Sequence, residues 1–164
     1  MSKNLMHVLL VEDDDDHAEI VSRGLANSSV ESRIYRVSDG EAALDFLFRR
    51  GPYADPKLSP RPDVVLLDLR LPLVDGIEVL RTVKEAPDLS NIPVIVLTTS
   101  EAKQDIVSAY HNHANSYLVK PTEFRHINEM TDAIVSYWLA WNRSPSGENA
   151  PIDTKTNEGG TSRS

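Results

Sequence analysis

Short apolar runs alternate with longer amphipathic segments along residues 5–141 of this chain. The apolar runs have the length of β-strands and lie at residues 5–11, 33–37, 63–67, 93–97 and 117–119. The third and fourth runs are almost uninterrupted, which is typical of central strands covered on both faces. Between the runs, apolar residues recur at helical spacing, as Ala18, Val21 and Leu25 do within residues 14–27.

The later amphipathic segments predict four further helices. The first of these has a buried stripe made of Ala42, Ala43, Phe46 and Leu47, and the others span residues 77–86, 101–112 and 122–141. The last helix carries apolar residues on one side, namely Phe124, Ile127, Met130, Ile134 and Trp138. Five strands alternating with five helices indicate an α/β fold with a parallel sheet between two helical layers. We expect the flavodoxin-like doubly wound topology, with strand order 2-1-3-4-5.

Two segments depart from this alternation. Residues 51–62 contain four prolines and one glycine, so they are predicted to form a loop. Residues 142–164 hold Ile152 as their single large apolar side chain and cannot bury enough surface to offset the entropy of ordering. We therefore expect one domain at residues 5–141, followed by a disordered C-terminal tail at residues 142–164.

The composition narrows the classes of function. The net charge is −8, and an acidic domain is a poor direct partner for nucleic acid, whose phosphates are bound by Lys and Arg. The chain has no cysteine, which excludes disulfides, thiolate zinc sites and thiol nucleophiles. No apolar run approaches the ~20 residues that span a bilayer, and the N-terminal run is too short for a signal peptide. A cytoplasmic protein without membrane contact is expected.

Chemically active side chains follow four of the five predicted strands. They are Glu12 and Asp13 after the first strand, Asp68 after the third, Thr98, Thr99 and Ser100 after the fourth, and Lys120 and Pro121 after the fifth. Ligands of doubly wound sheets bind beyond the carboxyl ends of the strands, so these side chains are expected to meet. Three carboxylates in one pocket repel each other and must take up protons or a cation. Oxygen ligands without His or Cys favour a hard ion such as Mg²⁺.

A metal held in this way can also bind phosphate oxygens and leave one carboxylate free to attack phosphorus. Asp68 is the preferred nucleophile, because it follows the most hydrophobic and most central strand. Lys120 and the Thr98 hydroxyl are then expected to bind oxygens of the phosphoryl group.

Simpler roles account for several other polar residues. An acid beside the start of a helix is commonly a capping or dipole-pairing residue, which fits Asp14, Asp15 and Asp16. Acids followed by glycine commonly form turns, which fits Asp39 and Asp75. His111 and His113 lie at a predicted helix end, where solvated or dipole-pairing histidines are a better interpretation than a metal pair.

Other phosphate-binding classes fit less well. The chain has neither a P-loop motif nor a dinucleotide-binding glycine motif. A phosphatase of the haloacid-dehalogenase type has D-x-D after a central strand, whereas here Arg70 occupies the second acidic position. That class is therefore the less favoured alternative, and a module of this fold that binds partners without phosphorylation is the other.

Four segments together resemble two-component response-regulator receiver domains. They lie at residues 8–14, 64–76, 93–99 and 117–121. The resemblance covers about residues 5–141 and implies a switch, limited to self-phosphorylation and slow autodephosphorylation, rather than an enzyme. It further implies that a sensor histidine kinase supplies the phosphoryl group.

The resemblance also assigns the site residues. It implies Asp68 as phosphoacceptor and Mg²⁺, which Mn²⁺ or Ca²⁺ can replace, held by Asp13, Asp68 and the Arg70 carbonyl, with Glu12 acting through water. It implies phosphate-binding or switch roles for Thr98, Thr99, Lys120, Pro121 and Tyr117. The Lys120–Pro121 bond is expected to be cis, and Tyr117 is expected to swing inward as Thr98 moves toward the phosphate.

Three features look similar to the stand-alone regulators that partner phytochrome histidine kinases. They are the long loop at residues 51–62, the stretch at residues 111–116 and the aromatic end of the last helix. Trp138 is expected to pack in the core, while Tyr137 and Trp141 fall on other faces of the helix. We expect a homodimer through this region, with Tyr137, Trp138 and Trp141 as candidate interface residues.

Overall fold

The computed structural model describes residues 5–143. It contains a five-stranded parallel sheet with the order β2-β1-β3-β4-β5, so the predicted flavodoxin-like topology is confirmed. The strands are β1 at Met6–Val11, β2 at Ser32–Val37, β3 at Val64–Leu67, β4 at Val94–Thr98 and β5 at Ser116–Val119. The helices are α1 at Asp15–Ala26, α2 at Gly40–Phe48, α3 at Gly76–Glu85, α4 at Lys103–His111 and α5 at Phe124–Ile134.

Two apolar cores lie on opposite faces of the sheet. Alternate residues of the central strands point to each face, as Leu9 and Leu67 do to one and Leu10 and Leu66 to the other. The first core packs against α2 and α3, and the second packs against α1 and α5. Every residue of β3 and β4 is buried, which explains why these two runs lack polar interruptions.

Aspartates cap the starts of three helices. Asp14 accepts from the His17 amide at 3.0 Å, Asp39 from the Ala42 amide at 2.7 Å and Asp75 from the Ile77 amide at 3.4 Å. These bonds satisfy amides that the first helical turn leaves without partners. The prediction of Asp14 as a helix N-terminal acid is therefore confirmed, whereas Asp39 and Asp75, predicted as turn residues, are helix caps.

Gly76 lets α3 start directly against the segment that carries Asp68. A Cβ at position 76 would lie 2.3 Å from the Asp68 carbonyl oxygen and 2.5 Å from the Leu69 Cα. The Gly76 amide donates to the Leu69 carbonyl at 3.0 Å, so the close approach is also a hydrogen-bonded one. The glycine thus helps to fix the backbone beside the candidate site.

The end of the last helix differs from the prediction. The α-helix stops at Ile134 and continues as a π-helix over Val135–Trp141. Val135 and Leu139 in the π-helical part are buried, although the predicted stripe did not contain them. Ile127 and Ile134 are buried and Met130 and Trp138 are half-buried, as the stripe predicts.

No helix within residues 5–143 is both long and apolar enough to cross a membrane. The proline-rich segment at residues 51–62 connects α2 to β3 as a loop, as predicted, and begins with a short 3₁₀ turn at Gly51–Tyr53. Apart from its first two residues, the tail predicted to be disordered lies outside the described residues.

Candidate functional site

Backbone hydrogen bonds bring the ends of four strands to one edge of the sheet. The Asp68 amide donates to the Val11 carbonyl at 3.0 Å, which places Asp68 beside the end of β1. The Lys120 amide donates to the Thr98 carbonyl at 2.7 Å, which joins the ends of β4 and β5. The residues that follow these strands therefore share one site, as the sequence predicts.

Three carboxylates converge at this edge. One oxygen from each of Glu12, Asp13 and Asp68 lies within 4.8 Å of the others. Glu12 and Asp68 are only 2% and 7% exposed, whereas Asp13 is exposed. Asp13 and Arg70 also line an open cleft of about 380 Å³, so solvent reaches the cluster from that side.

The Lys120 ammonium is buried among these carboxylates. It donates to Glu12 and, at 3.0 Å, to Oδ2 of Asp68, and the residue is 5% exposed. Oδ1 of Asp68 accepts from the Arg70 amide at 3.2 Å. Both Asp68 oxygens thus have a donor, and the carboxylate is held in one orientation.

The cluster still carries more negative than positive charge. Burial raises the pKa of the Glu12 carboxyl to about 7, the Lys120 hydrogen bond opposes this rise, and the Asp68 charge adds to it. One ammonium therefore does not satisfy three carboxylates, and a further cation is expected to bind.

The donor set fits a divalent metal ion. All three acidic side chains offer oxygen, the exposed Asp13 faces solvent, and no His or Cys belongs to this group of carboxylates. Mg²⁺ keeps several waters and uses few carboxylates, which suits a site with one open side. Mn²⁺ accepts the same hard oxygen ligands.

Hydroxyl groups lie at the end of β4 and in β5, at the same edge of the sheet as the carboxylates. Thr98 is fully buried at the end of β4, and its Oγ1 accepts from the Ser100 amide at 3.4 Å. Thr99 is exposed, and the Tyr117 hydroxyl donates to the Ser100 carbonyl at 2.8 Å. Thr98 thus ends β4 at the same edge of the sheet as Asp68 and accepts from the Lys120 amide through its carbonyl, while Tyr117 contacts the loop that follows Thr98.

The peptide bond between Lys120 and Pro121 is trans, as are the other described peptide bonds. The expected cis bond is therefore wrong for this structure. The trans isomer is the lower-energy form of an X-Pro bond by about 0.5–1 kcal/mol, and the Lys120 amide bonds Thr98 in this geometry.

Two side chains near the site were not predicted from the sequence. Nδ1 of His17, in the first turns of α1, lies 3.3 Å from the Lys120 ammonium. Arg36 donates to the Glu12 carbonyl at 3.1 and 3.0 Å and pairs with Asp15 at 2.8 Å, which braces the loop after β1. Neither residue belongs to a recognisable motif, because both act through contacts that the tertiary fold creates.

The two histidines at the end of α4 lie apart from this cluster. His111 occupies the last turn of the helix, where the carbonyl ends favour positive charge. His113 has a left-handed backbone, with φ at 68°. Within residues 5–143, the one group of three or more potential metal-ligating side chains is Glu12, Asp13 and Asp68.

A doubly wound sheet with an acidic cluster, a buried lysine and a buried threonine at its carboxyl edge defines the class of receiver domains. The sequence model of the response regulator receiver domain matches residues 8–132 of this chain. The chain belongs to that family, and it is a two-component receiver rather than a classical enzyme.

Two proteins of similar sequence support this assignment. The probable methanogenesis regulatory protein FilR2 of Methanothrix harundinacea is 47% identical over 138 residues, which cover 84% of this chain and 86% of FilR2. The response regulator Rcp1 of Synechocystis is 42% identical over 132 residues, which cover 80% of this chain and 88% of Rcp1.

Solved structures agree with the fold. The Mn²⁺-bound form of Rcp1 superposes with a TM-score of 0.81 at 40% identity, covering 86% of this chain and 99% of that one. The phosphorylated cyanobacterial phytochrome response regulator RcpA gives 0.82 at 38% identity, with the same coverage of 86% and 99%. The acidic cluster of this chain accordingly fits a divalent metal site.

Proposed function

We propose that this receiver accepts a phosphoryl group on Asp68 in a reaction that depends on Mg²⁺. The observation that carries the proposal is the Asp68 carboxylate itself, buried, oriented by two donors and in reach of both Lys120 and the acidic cluster. The solved structures of a Mn²⁺-bound and a phosphorylated relative support it.

The proposed reaction forms a bond between an Asp68 carboxylate oxygen and phosphorus. The P–N bond of a kinase phosphohistidine breaks, and the released imidazole nitrogen takes up a proton. Lys120 donates to a phosphoryl oxygen and offsets its developing charge, and the Thr98 hydroxyl donates to another. Mg²⁺, held by Asp13, Asp68 and the Arg70 carbonyl with Glu12 through water, would supply further charge neutralisation.

Removing the Asp13 carboxylate is expected to weaken the metal site. Asp13→Asn should lower Mg²⁺ affinity at least about tenfold, since even indirect partners of metal ligands commonly matter this much. Calorimetric titration with Mg²⁺ measures the affinity. Intact-protein mass spectrometry after incubation with acetyl phosphate should show one phosphoryl group on the wild type with Mg²⁺ and none with a chelator.

Asp16→Asn is the matched control, because Asp16 is exposed on the first turn of α1 and lies outside the acidic cluster. This variant should bind Mg²⁺ as the wild type does. Equal affinities for Asp13→Asn and the wild type would contradict the proposed ligand set. Phosphorylation that persists in the chelator would contradict the proposed metal dependence.

A sensor histidine kinase is the proposed phosphoryl donor, and a phytochrome-type kinase is the more specific proposal. The similarity to Rcp1 and to the phytochrome response regulator RcpA supports the specific form. FilR2, a methanogenesis regulator by name, is at least as similar, so phosphotransfer from a purified phytochrome kinase is the direct test.

We further propose residues 5–141 as the receiver domain. We propose that it acts in the cytoplasm through protein contacts and without direct nucleic-acid binding.

We also propose a homodimer through the π-helical end of the last helix. Tyr137 and Trp141 are 60% and 78% exposed, and the Tyr137 and Trp138 rings meet edge to face at 5.1 Å. Trp138 is half-buried against the second core, so this aromatic cluster is anchored to the domain and offers apolar area to a partner.

Replacing the two exposed rings is expected to weaken self-association. The double variant Tyr137→Ser and Trp141→Ser should raise the dimer dissociation constant at least about tenfold, because aromatic residues dominate interface energies. Sedimentation equilibrium measures this constant. Leu58→Ser is the control, since Leu58 is 58% exposed in the distant proline-rich loop. A double variant that dimerises like the control would contradict the proposed interface.

A further inference from the structure

One carboxylate of α4 connects the two loops that flank Asp68. Oδ2 of Asp105 accepts from Nη2 of Arg70 at 2.9 Å and also from the Ser100 hydroxyl. Arg70 lies two residues after Asp68, and Ser100 lies two residues after Thr98. Asp105 therefore contacts the loop after β3 and the loop after β4 through a single oxygen.

The exposures of the two partners differ. The Asp105 side chain is 18% exposed, whereas the Arg70 side chain is 69% exposed. Asp105 is held by two donors and by its place in the first turn of α4, where the helix dipole favours an acid. Within the described residues, the Arg70 guanidinium forms an ion pair with Asp105. Most of the Arg70 side chain is exposed to solvent, so it has room to change conformation.

The backbone of Arg70 lies close to Asp68, the proposed phosphoacceptor. The Arg70 amide donates to Oδ1 of Asp68 at 3.2 Å, so the side chain branches from a backbone position in contact with that carboxylate. Burial raises the pKa of the Tyr117 hydroxyl, its hydrogen bond to Ser100 opposes this rise, and the charges of Asp105, Arg70 and Asp68 have smaller effects.

We propose that Asp105 is a positioning residue that holds the Arg70 guanidinium on α4 and away from Asp68. The inference rests on the proposed phosphorylation of Asp68. A phosphoryl group there carries up to about two negative charges and three acceptor oxygens, so it competes with the single charge of Asp105 for the guanidinium. Phosphorylation then releases Arg70 from the first turn of α4, while Asp105 keeps its bond to Ser100.

Removing the Asp105 charge frees Arg70 before any phosphoryl group arrives. Asp105→Asn is nearly isosteric and can still accept from the Ser100 hydroxyl. The free guanidinium adds positive charge where negative charge develops during transfer. The initial rate of phosphorylation by acetyl phosphate should rise about twofold to fivefold at low salt, the range that corresponds to an exposed ion pair.

The experiment compares the wild type with five variants, among them Arg70→Ala alone as the reference for the double variant, by intact-protein mass spectrometry in Mg²⁺ and acetyl phosphate. Glu101→Gln is the matched control, because Glu101 is exposed next to α4 and has no ion pair within the described part of the chain. It should change the rate less than twofold. Asp105→Glu, which keeps the charge, should restore the wild-type rate, and Asp105→Asn should have no effect in an Arg70→Ala background.

A second readout does not require phosphorylation. The Arg70 side-chain ¹⁵N signals of Mg²⁺-free protein should shift in Asp105→Asn and stay unchanged in Glu101→Gln. Unchanged signals in Asp105→Asn, equal rates for Asp105→Asn and Glu101→Gln, or a full rate increase without Arg70 would each overturn the inference while the proposed phosphorylation stands. A wild-type protein that acquires no phosphoryl group would overturn the proposed function and this inference with it.

Discussion

Lys120→Met is expected to slow phosphorylation of the protein by at least about 100-fold, the usual cost of removing one preorganised donor from a developing oxyanion. Methionine keeps the length and apolar stem of lysine but removes its charge. Among residues 5–143, the ammonium is the one positive side-chain group within hydrogen-bonding distance of both Glu12 and Asp68. Initial rates with acetyl phosphate and saturating Mg²⁺, followed by mass spectrometry, measure the effect.

The same substitution should destabilise the fold in the absence of metal. Two buried carboxylates lose their shared partner, and breaking a buried ion pair from one side costs about 3 kcal/mol. Because a divalent ion can replace the lost positive charge, Mg²⁺ should stabilise Lys120→Met more than it stabilises the wild type. Urea unfolding at pH 7, with and without Mg²⁺, measures both free energies of unfolding.

Lys103→Met serves as the control for loss of a lysine, because Lys103 is exposed at the start of α4. It should leave the phosphorylation rate and the free energy of unfolding close to those of the wild type. A Lys120→Met protein that is phosphorylated at the wild-type rate would remove Lys120 from the proposed mechanism.

Asp68→Asn is expected to abolish the phosphoryl adduct. An amide is a much weaker nucleophile than a carboxylate. The other two carboxylates lie in different surroundings, since Asp13 is exposed and Glu12 has hydrogen-bond partners of its own. Glu12 accepts hydrogen bonds from Lys120 and, at 3.2 Å, from the Asp14 amide. Its pKa, raised by burial to about 7, leaves part of the carboxyl protonated near neutral pH. Intact-protein mass spectrometry should show less than about one hundredth of the wild-type adduct after equal incubation.

Asp75→Asn is the matched control for Asp68→Asn. Asp75 lines the open cleft together with Asp13 and Arg70 and caps α3, and asparagine is an equally good capping residue. The Asp75 variant should therefore fold and become phosphorylated like the wild type. An adduct on Asp68→Asn as large as that on Asp75→Asn would place the phosphoryl group elsewhere.

The periodic parts of the chain were predictable from sequence. Uninterrupted apolar runs identified β3 and β4, and the positions after the strands identified Glu12, Asp13, Asp68, Thr98 and Lys120, because strand ends meet at one edge of a parallel sheet. The loop at residues 51–62 followed from its proline content and the Asp14 cap from helix-capping chemistry, whereas Asp39 and Asp75 were predicted as turn residues and cap helices instead.

Contacts between distant segments were not predictable in the same way. His17 and Arg36 reach the site from α1 and β2, and Asp105 reaches Arg70 across 35 positions of sequence. No local pattern encodes such pairs, because their side chains meet only after the helices pack on the sheet. The change to a π-helix after Ile134 was also missed, since the apolar spacing there fits an α-helix nearly as well.

Reductive trapping tests the central claim most directly. Sodium borohydride reduces an acyl phosphate to an alcohol, so treating phosphorylated wild-type protein converts the modified aspartate to homoserine, which tandem mass spectrometry locates in the sequence. We predict homoserine at position 68, only after incubation with both Mg²⁺ and acetyl phosphate. Reduction at Glu12 or Asp13 instead would contradict the assignment of Asp68 as the phosphoacceptor. The absence of any reduced residue after incubation with both Mg²⁺ and acetyl phosphate would contradict it as well.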